Sequence, residues 1–154
     1  MSEFAGLTNA PSSLIRFTKI EGELSMGEKE AESRVGIGRG LKLGIVGIGV
    51  GASEILPAME ATPHIELVAG ADINPRVLAI FHERYGARTY DSIEKLCEDP
   101  EVEAVWISTP NKFHARHSII AAEQKKHVVV EKPMAISLRE AEAMIEAAEK
   151  NRIK

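Results

Sequence analysis

From Leu41 onward, short apolar runs alternate with longer stretches in which apolar residues recur every three or four positions. The first run, Leu41-Lys42-Leu43-Gly44-Ile45-Val46, breaks into glycines at Gly47, as a strand buried on both faces does. Ile65–Ala71 repeats the pattern and ends at Asp72; runs at 104–108 and at His127–Val130 follow, with a brief strand at Arg88–Tyr90. Helical spacing is predicted over 52–61, Pro75–Tyr85, 92–98, 112–124 and from Ser137 to Asn151. Pro75 sits in a first turn and Gly86 lies just past a helix end, the usual asymmetry of those two residues. Asp91 is the expected N-cap of the third helix, and Ser137 with Glu140 three residues on reads as a capping box. Five strands alternating with helices at this spacing predict βαβ units, hence a doubly wound α/β fold with a parallel sheet and helices on both faces.

Residues 1–40 differ. They are rich in Ser, Gly and Glu and keep neither period, so a polar, disordered extension is expected, with a short helix over 27–34 as the alternative. Glu21-Gly22-Glu23 can be encoded by purine-rich codons resembling a ribosome-binding site, which makes Met26 an alternative start. The remaining residues, 41–154, suffice for one domain with a core at 44% hydrophobic content. A net charge of −4 gives no basic face for nucleic acid. No apolar run is long enough to cross a bilayer, and the cluster around Leu14 to Phe17 is interrupted by Arg16. A cytoplasmic location is expected; the single Cys97 excludes an internal disulfide and fits a reducing compartment.

Candidate chemistry begins at the glycines. Gly47-Ile48-Gly49-Val50-Gly51-Ala52 fits G-x-G-x-x-A between a strand and a helix. Gly47 allows the tight turn, Gly49 lets backbone approach a pyrophosphate, and Ala52 permits close helix–strand packing. The pyrophosphate then rests on the N–H groups of Val50, Gly51 and Ala52 at the helix start. Asp72, twenty positions after Ala52, ends the second strand. Its carboxylate would accept the adenosine ribose hydroxyls and repel a 2′-phosphate, favouring NAD; Ile73 adjoins it, and Arg76 could bend toward a 2′-phosphate, leaving NADP as the alternative. This is the dinucleotide fingerprint of a Rossmann domain.

Two further segments fall at the carboxyl edge of the sheet. Ser108-Thr109-Pro110-Asn111 follows the fourth strand, with His114 three residues beyond, and Glu131-Lys132-Pro133 ends the fifth. Lys132 would project an ammonium there, where it can hydrogen-bond a substrate hydroxyl or take part in proton transfer.

In order and spacing these motifs resemble the N-terminal domain of the Gfo/Idh/MocA family, which includes glucose–fructose oxidoreductase and inositol 2-dehydrogenase. The resemblance runs through Gly47-x-Gly49-x-x-Ala52, Leu56-Pro57-Ala58, Asp72, Thr109-Pro110-Asn111-x-x-His114, Lys126-His127-Val128 and Glu131-Lys132-Pro133-Met134-Ala135. It implies hydride transfer between a nicotinamide and a secondary alcohol of a sugar, cyclitol or dihydrodiol, with Lys132 placing the nicotinamide and the reacting hydroxyl. A His, often with an Asp, from a second domain completes such sites. Val50-Gly51-Ala52, Leu56-Pro57 and Tyr90-Asp91-Ser92 look similar to the branch of phthalate-type cis-dihydrodiol dehydrogenases.

The resemblance also implies what is missing. Family members are over twice this length and continue into a sixth strand and an α+β domain; this sequence stops at Asn151-Arg152-Ile153-Lys154, where that strand should begin. An open sheet edge invites self-association, and a nicotinamide facing water lacks a dry pocket for hydride transfer. The expectation is cofactor binding without turnover by this chain alone, as a fragment of an NAD(P)-dependent dehydrogenase whose substrate requires the missing domain. A non-enzymatic dinucleotide-sensing or partner-binding module is the alternative, against which Lys132 argues. A short-chain-dehydrogenase reading fails because neither Tyr85 nor Tyr90 begins a Tyr-x-x-x-Lys helix.

Other residues are given plainer roles. His114 and His117 lack a third ligand, so no metal site is expected. His64 and His82 should be exposed, His127 structural and Trp106 part of the core. Charges over 139–150 should form a solvated helix face with i,i+4 pairs.

Overall fold

The alternation of runs becomes a single parallel sheet in a computed structural model that describes residues 40–154. The readings made for the first 39 residues, including Met26 and the helix over 27–34, lie outside the described residues. In chain order the elements are β1 (Leu41–Val46), α1 (Val50–Glu60), β2 (Ile65–Ala71), α2 (Pro75–Tyr85), β3 (Arg88–Tyr90) and α3 (Ile93–Glu98). They continue with β4 (Ala104–Ile107), a 3-10 turn (Asn111–Phe113), α4 (His114–Glu123), β5 (His127–Val130) and α5 (Leu138–Asn151).

The strand order is β3-β2-β1-β4-β5, every pairing parallel. Two apolar layers sandwich the sheet. On one face α1 and α2 bring Ala52, Leu56, Met59 and Phe81 against Leu43, Ile45 and Ala104. On the other, Ile93, Leu96 and Cys97 of α3 and Ala121 of α4 pack on Val46, Ala71, Val105 and Ile107. The chain changes face between β3 and β4, so the connections from β1 and from β4 leave in opposite directions. A crevice at the carboxyl ends of those two strands is the topological switch point where such sheets take ligands.

Local signals set most boundaries. Asn74 caps α2 by accepting the Arg76 N–H, and Gly86 closes it in the left-handed conformation (φ 64°). Ser137 caps α5 by accepting the Glu140 N–H, and the Glu140 carboxylate takes the Ile136 N–H in return. The expected cap at Asp91 is displaced by one residue. Ser92 Oγ accepts the Lys95 N–H, while Asp91 instead pairs with the Lys95 ammonium at 2.7 Å. The i,i+4 ion pairs expected along α5 do not form among the described residues; exposed pairs of that kind are worth a few tenths of a kcal/mol and lose to hydration. Trp106 packs on the α1 side but is only half-buried; among the described residues no helix covers that face of β5, where Val129 is 42% exposed. Beyond α5, the Lys154 carbonyl accepts the Val128 N–H at 2.8 Å, so the last residues run beside the outer edge of β5.

A hub ties β3 to the loop after α3. Asp99, 7% exposed, accepts Arg88 at 2.7 Å, the Tyr90 hydroxyl at 2.8 Å and the Glu101 N–H at 2.9 Å. Burial pushes its pKa up, but these donors outweigh burial and hold it below the ordinary carboxylate value.

Candidate functional site

Four segments converge at the crevice, and the glycine loop is the most constrained. Gly47 has φ +84°, and a Cβ there would sit 2.8 Å from the backbone N and Cα of Thr109. Glycine is required twice over, for the left-handed backbone and for the contact of the β1 loop with the β4 loop. A Cβ on Gly51 would lie 2.9 Å from Ser108 Oγ, so the start of α1 also presses on the β4 loop. At Gly49 a Cβ would meet nothing within 4 Å, which leaves the backbone open to a ligand from the solvent side.

α1 begins two residues earlier than its apolar period predicts, and its start is prepared for an anion. Its first turn has no side-chain cap and no acidic residue, so the N–H groups of Val50, Gly51 and Ala52 have no intrahelical acceptor. Ala52 is fully buried against the sheet, while Val50 and Gly51 are exposed.

Asp72 locks this loop to the neighbouring strand. One carboxylate oxygen accepts the Ile48 N–H at 2.8 Å and the other the Asn74 N–H at 2.8 Å. Hydrogen bonds to a charged acceptor contribute about 1.5–3 kcal/mol each. Each oxygen keeps capacity for a second hydrogen bond, which a vicinal diol needs. Ile73, 94% exposed, and Arg76, also exposed, flank the carboxylate on the α2 side; neither is bonded to the glycine loop.

The β4 and β5 loops form the other wall. Ser108 N–H donates to the Val46 carbonyl at 2.8 Å and Glu131 N–H to that of Ile107 at 3.0 Å, extending the ladder beyond both strands. Thr109 Oγ1 lies 3.1 Å from His117 Nδ1, and the His117 ring stacks on Phe113 at 5.6 Å. Burial, then Arg116, lowers the His117 pKa. Pro110 and Asn111 are exposed at the rim. Lys132 is exposed as well, and its ammonium makes no ion pair among the described residues. The Lys132–Pro133 peptide is cis. His114 lies beneath this rim with 1% exposure, both ring nitrogens at backbone carbonyls.

The structure thus joins Gly47 to Thr109, Gly51 to Ser108, Ile48 to Asp72, and Thr109 through His114 to Pro133. Three participants escaped the sequence reading. Asn74 carried a readable signal, an Asn preceding Pro at a helix start. Ile48 contributes only a backbone N–H, and His117 matches no motif. His127 is exposed, its Nδ1 accepting the Lys154 N–H at 3.0 Å. No group of three His, Cys, Asp or Glu side chains gathers for a metal ion among the described residues. Nor is any described helix long and apolar enough to cross a membrane.

The uncapped glycine loop, the open face at Gly49 and the doubly anchored Asp72 fit a dinucleotide, and comparison with known proteins agrees. A family profile described as an oxidoreductase family with an NAD-binding Rossmann fold matches residues 41–154. A 1-carboxy-3-chloro-3,4-dihydroxycyclohexa-1,5-diene dehydrogenase from Comamonas testosteroni is 41% identical over 101 residues, 65% of this chain and 25% of the relative. Inositol 2-dehydrogenase from Salmonella typhimurium is 33% identical over 72% of this chain and 34% of the relative. Among solved structures, the WlbA dehydrogenase from Bordetella pertussis in complex with NADH and UDP-GlcNAcA superposes with a TM-score of 0.73 at 28% identity, covering 76% of this chain and 34% of that one. A 3-ketoreductase from Actinomadura kijaniata in complex with NADP gives 0.71 at 29% identity over 75% and 36%. The chain therefore spans a quarter to about a third of these proteins.

Proposed function

We propose the following from the fact that the chain belongs to the Gfo/Idh/MocA family of oxidoreductases with an NAD-binding Rossmann fold. The crevice between the β1 and β4 loops holds NAD. The pyrophosphate lies on the N–H groups of Val50, Gly51 and Ala52 across Gly49, and Asp72 accepts the adenosine ribose hydroxyls. Ile73 and Arg76 border the adenine end. Ser108 to Asn111 and Glu131 to Pro133 border the nicotinamide end.

The observation that carries this reading is Asp72, fixed beside the glycine loop by two backbone N–H groups, one on each oxygen. A carboxylate so placed disfavours a 2′-phosphate, so NAD binds more tightly than NADP. NAD, when bound, supplies the hydride acceptor or, reduced, the donor. Lys132 supplies an exposed ammonium that can orient a substrate hydroxyl or hold its proton. Relatives acting on a cyclic diol and on inositol support a secondary alcohol of a sugar, cyclitol or cis-dihydrodiol as substrate class for the full-length enzyme. The part of those relatives that this chain does not span would wall the substrate, so these residues alone bind NADH without turnover.

NADH titration followed by quenching of Trp106, the chain's single tryptophan, tests the proposal. Saturable quenching, weaker for NADPH, is expected. A folded chain with no saturable quenching defeats it, and measurable turnover defeats its second half.

A further inference from the structure

Thr109 lies where the β4 loop meets the glycine turn, and its side chain has two distinct partners. A Cβ on Gly47 would fall 2.8 Å from Thr109 Cγ2, so the threonine methyl already fills the space beside that glycine. The hydroxyl is taken elsewhere: Thr109 Oγ1 lies 3.1 Å from His117 Nδ1. Threonine is β-branched, so one torsion sets the methyl and the hydroxyl together. Either of the other staggered rotamers takes the methyl away from Gly47. Holding the oxygen at His117 therefore holds the methyl at the turn. Serine would lack the methyl, and valine the hydroxyl.

His117 is itself held. It sits one turn beyond His114 on α4, half-buried, and its ring stacks on Phe113 with 5.6 Å between centroids and 12° between planes. The stack fixes the plane of the ring. Turning the ring over within that plane would set carbon against the hydroxyl, so the hydrogen bond selects the observed face. The bond does not depend on the tautomer or charge of the imidazole, because a hydroxyl both donates and accepts. The two histidines take different parts of one residue. His114 lies against the Thr109 carbonyl, which leaves the side-chain torsion to His117.

We infer that His117 is a positioning residue of the crevice, holding Thr109 in the rotamer that seats the β4 loop on the glycine turn. The hold stands on these contacts. Its consequence for the cofactor rests on the function proposed above, in which Ser108 to Asn111 border the nicotinamide end of NAD. A site whose competent rotamer is populated only in part binds with an affinity reduced by that fraction.

The test compares two variants of the full chain. His117→Phe keeps a ring to stack on Phe113 and removes the hydrogen-bonding nitrogen. His117→Asn gives up the ring and keeps a polar atom at the position of Nδ1. Three-bond couplings from Thr109 Cγ2 to its own backbone nitrogen and carbonyl carbon read the rotamer, and NADH titration reads the affinity. Wild type and His117→Asn should show one rotamer and similar affinity. His117→Phe should show averaged couplings and bind NADH about 3- to 10-fold more weakly, the weight of one neutral hydrogen bond on the rotamer equilibrium. In a Thr109→Val background the change to Phe should be silent. A single unchanged rotamer in His117→Phe, equal losses in the two variants, or an undiminished effect in the Thr109→Val background overturns the proposal. Averaged couplings with unchanged NADH affinity overturn the positioning role. Should neither variant at position 117 fold, wild-type Thr109 decides: averaged couplings overturn the hold, and a single rotamer upholds it. Failure of wild-type NADH binding would count against the proposed function and would leave the Thr109 couplings as they are.

Discussion

Asp72→Asn keeps the size of the side chain and removes its charge and one acceptor. Both carboxylate oxygens are in use, each holding a backbone N–H at 2.8 Å, one on the glycine loop and one at the start of α2. A carboxamide can accept only through its oxygen, so in either orientation its NH2 group faces a backbone N–H. The loss is one charge-assisted bond with a donor set against a donor, about 1.5–3 kcal/mol at this half-buried position. At about 4 °C per kcal/mol for a domain of this size, Tm should fall by about 6–12 °C. Affinity falls separately. The ribose hydroxyls lose a charged acceptor, and NADH should bind about 10- to 100-fold more weakly. Unfolding followed by Trp106 fluorescence gives the first quantity and NADH titration the second, both on the same preparation. A variant with wild-type Tm refutes the tie between Asp72 and the glycine loop. One that is destabilised but binds NADH as tightly as the wild type refutes the ribose contact.

Other expectations follow from single contacts. Gly47→Ala must place a Cβ 2.8 Å from the Thr109 backbone at φ +84°, costing about 2–5 kcal/mol in strain and overpacking and opening the crevice; wild-type urea unfolding would contradict it. Asp99, with its pKa lowered in the fold, contributes stability that is complete above the ordinary carboxylate range and lost as pH falls through the folded value. Asp99→Asn should therefore cost about 1–3 kcal/mol at pH 7 and flatten the dependence of Tm on pH below about 4. Burial pushes the Cys97 thiol up to about 12, so a disulfide reagent at pH 8 should label it only after denaturant is added; labelling of the native chain would show that the α3 layer opens readily.

Where the sequence was legible, the residue type was dictated by local backbone demands. Gly47 is readable because the turn admits only glycine, Ala52 because the helix must pack flush on the sheet, and Gly86 because a left-handed cap suits it. The strand Ala104–Ile107 is readable because burial on both faces removes alternation from its apolar run, and His127–Val130 because its run is apolar throughout although one of its faces is exposed. The cap of α3 is the contrasting case. Asp91 and Ser92 both carry good capping groups, and the choice fell to Ser92 because Lys95 offered Asp91 a different partner, its ammonium. The start of α1, read from apolar periodicity, comes out two residues late for a different reason. The first turn of α1 is exposed at Val50 and Gly51 and has no apolar face to detect.

The site was legible as a set of residues but not as a mechanism of assembly, and the distances along the chain explain the difference. Asp72 reaches back 24 positions to Ile48, and His114 spans 19 to Pro133 while also taking the Thr109 carbonyl five positions away. In each case one partner is a main-chain group, which every residue carries and no motif marks. Sequence spacing identifies an acid at the end of β2; only the fold reveals that both its oxygens are committed to backbone before any ligand arrives. The same holds for His114, placed by its motif at the site's rim and found beneath it. A residue with both nitrogens on main-chain carbonyls has no ring nitrogen left for a ligand, so its effect on chemistry must pass through the loops it holds. That separates the exposed side chains of the crevice, Asn111 and Lys132, from His114, which acts only through the loops that carry them.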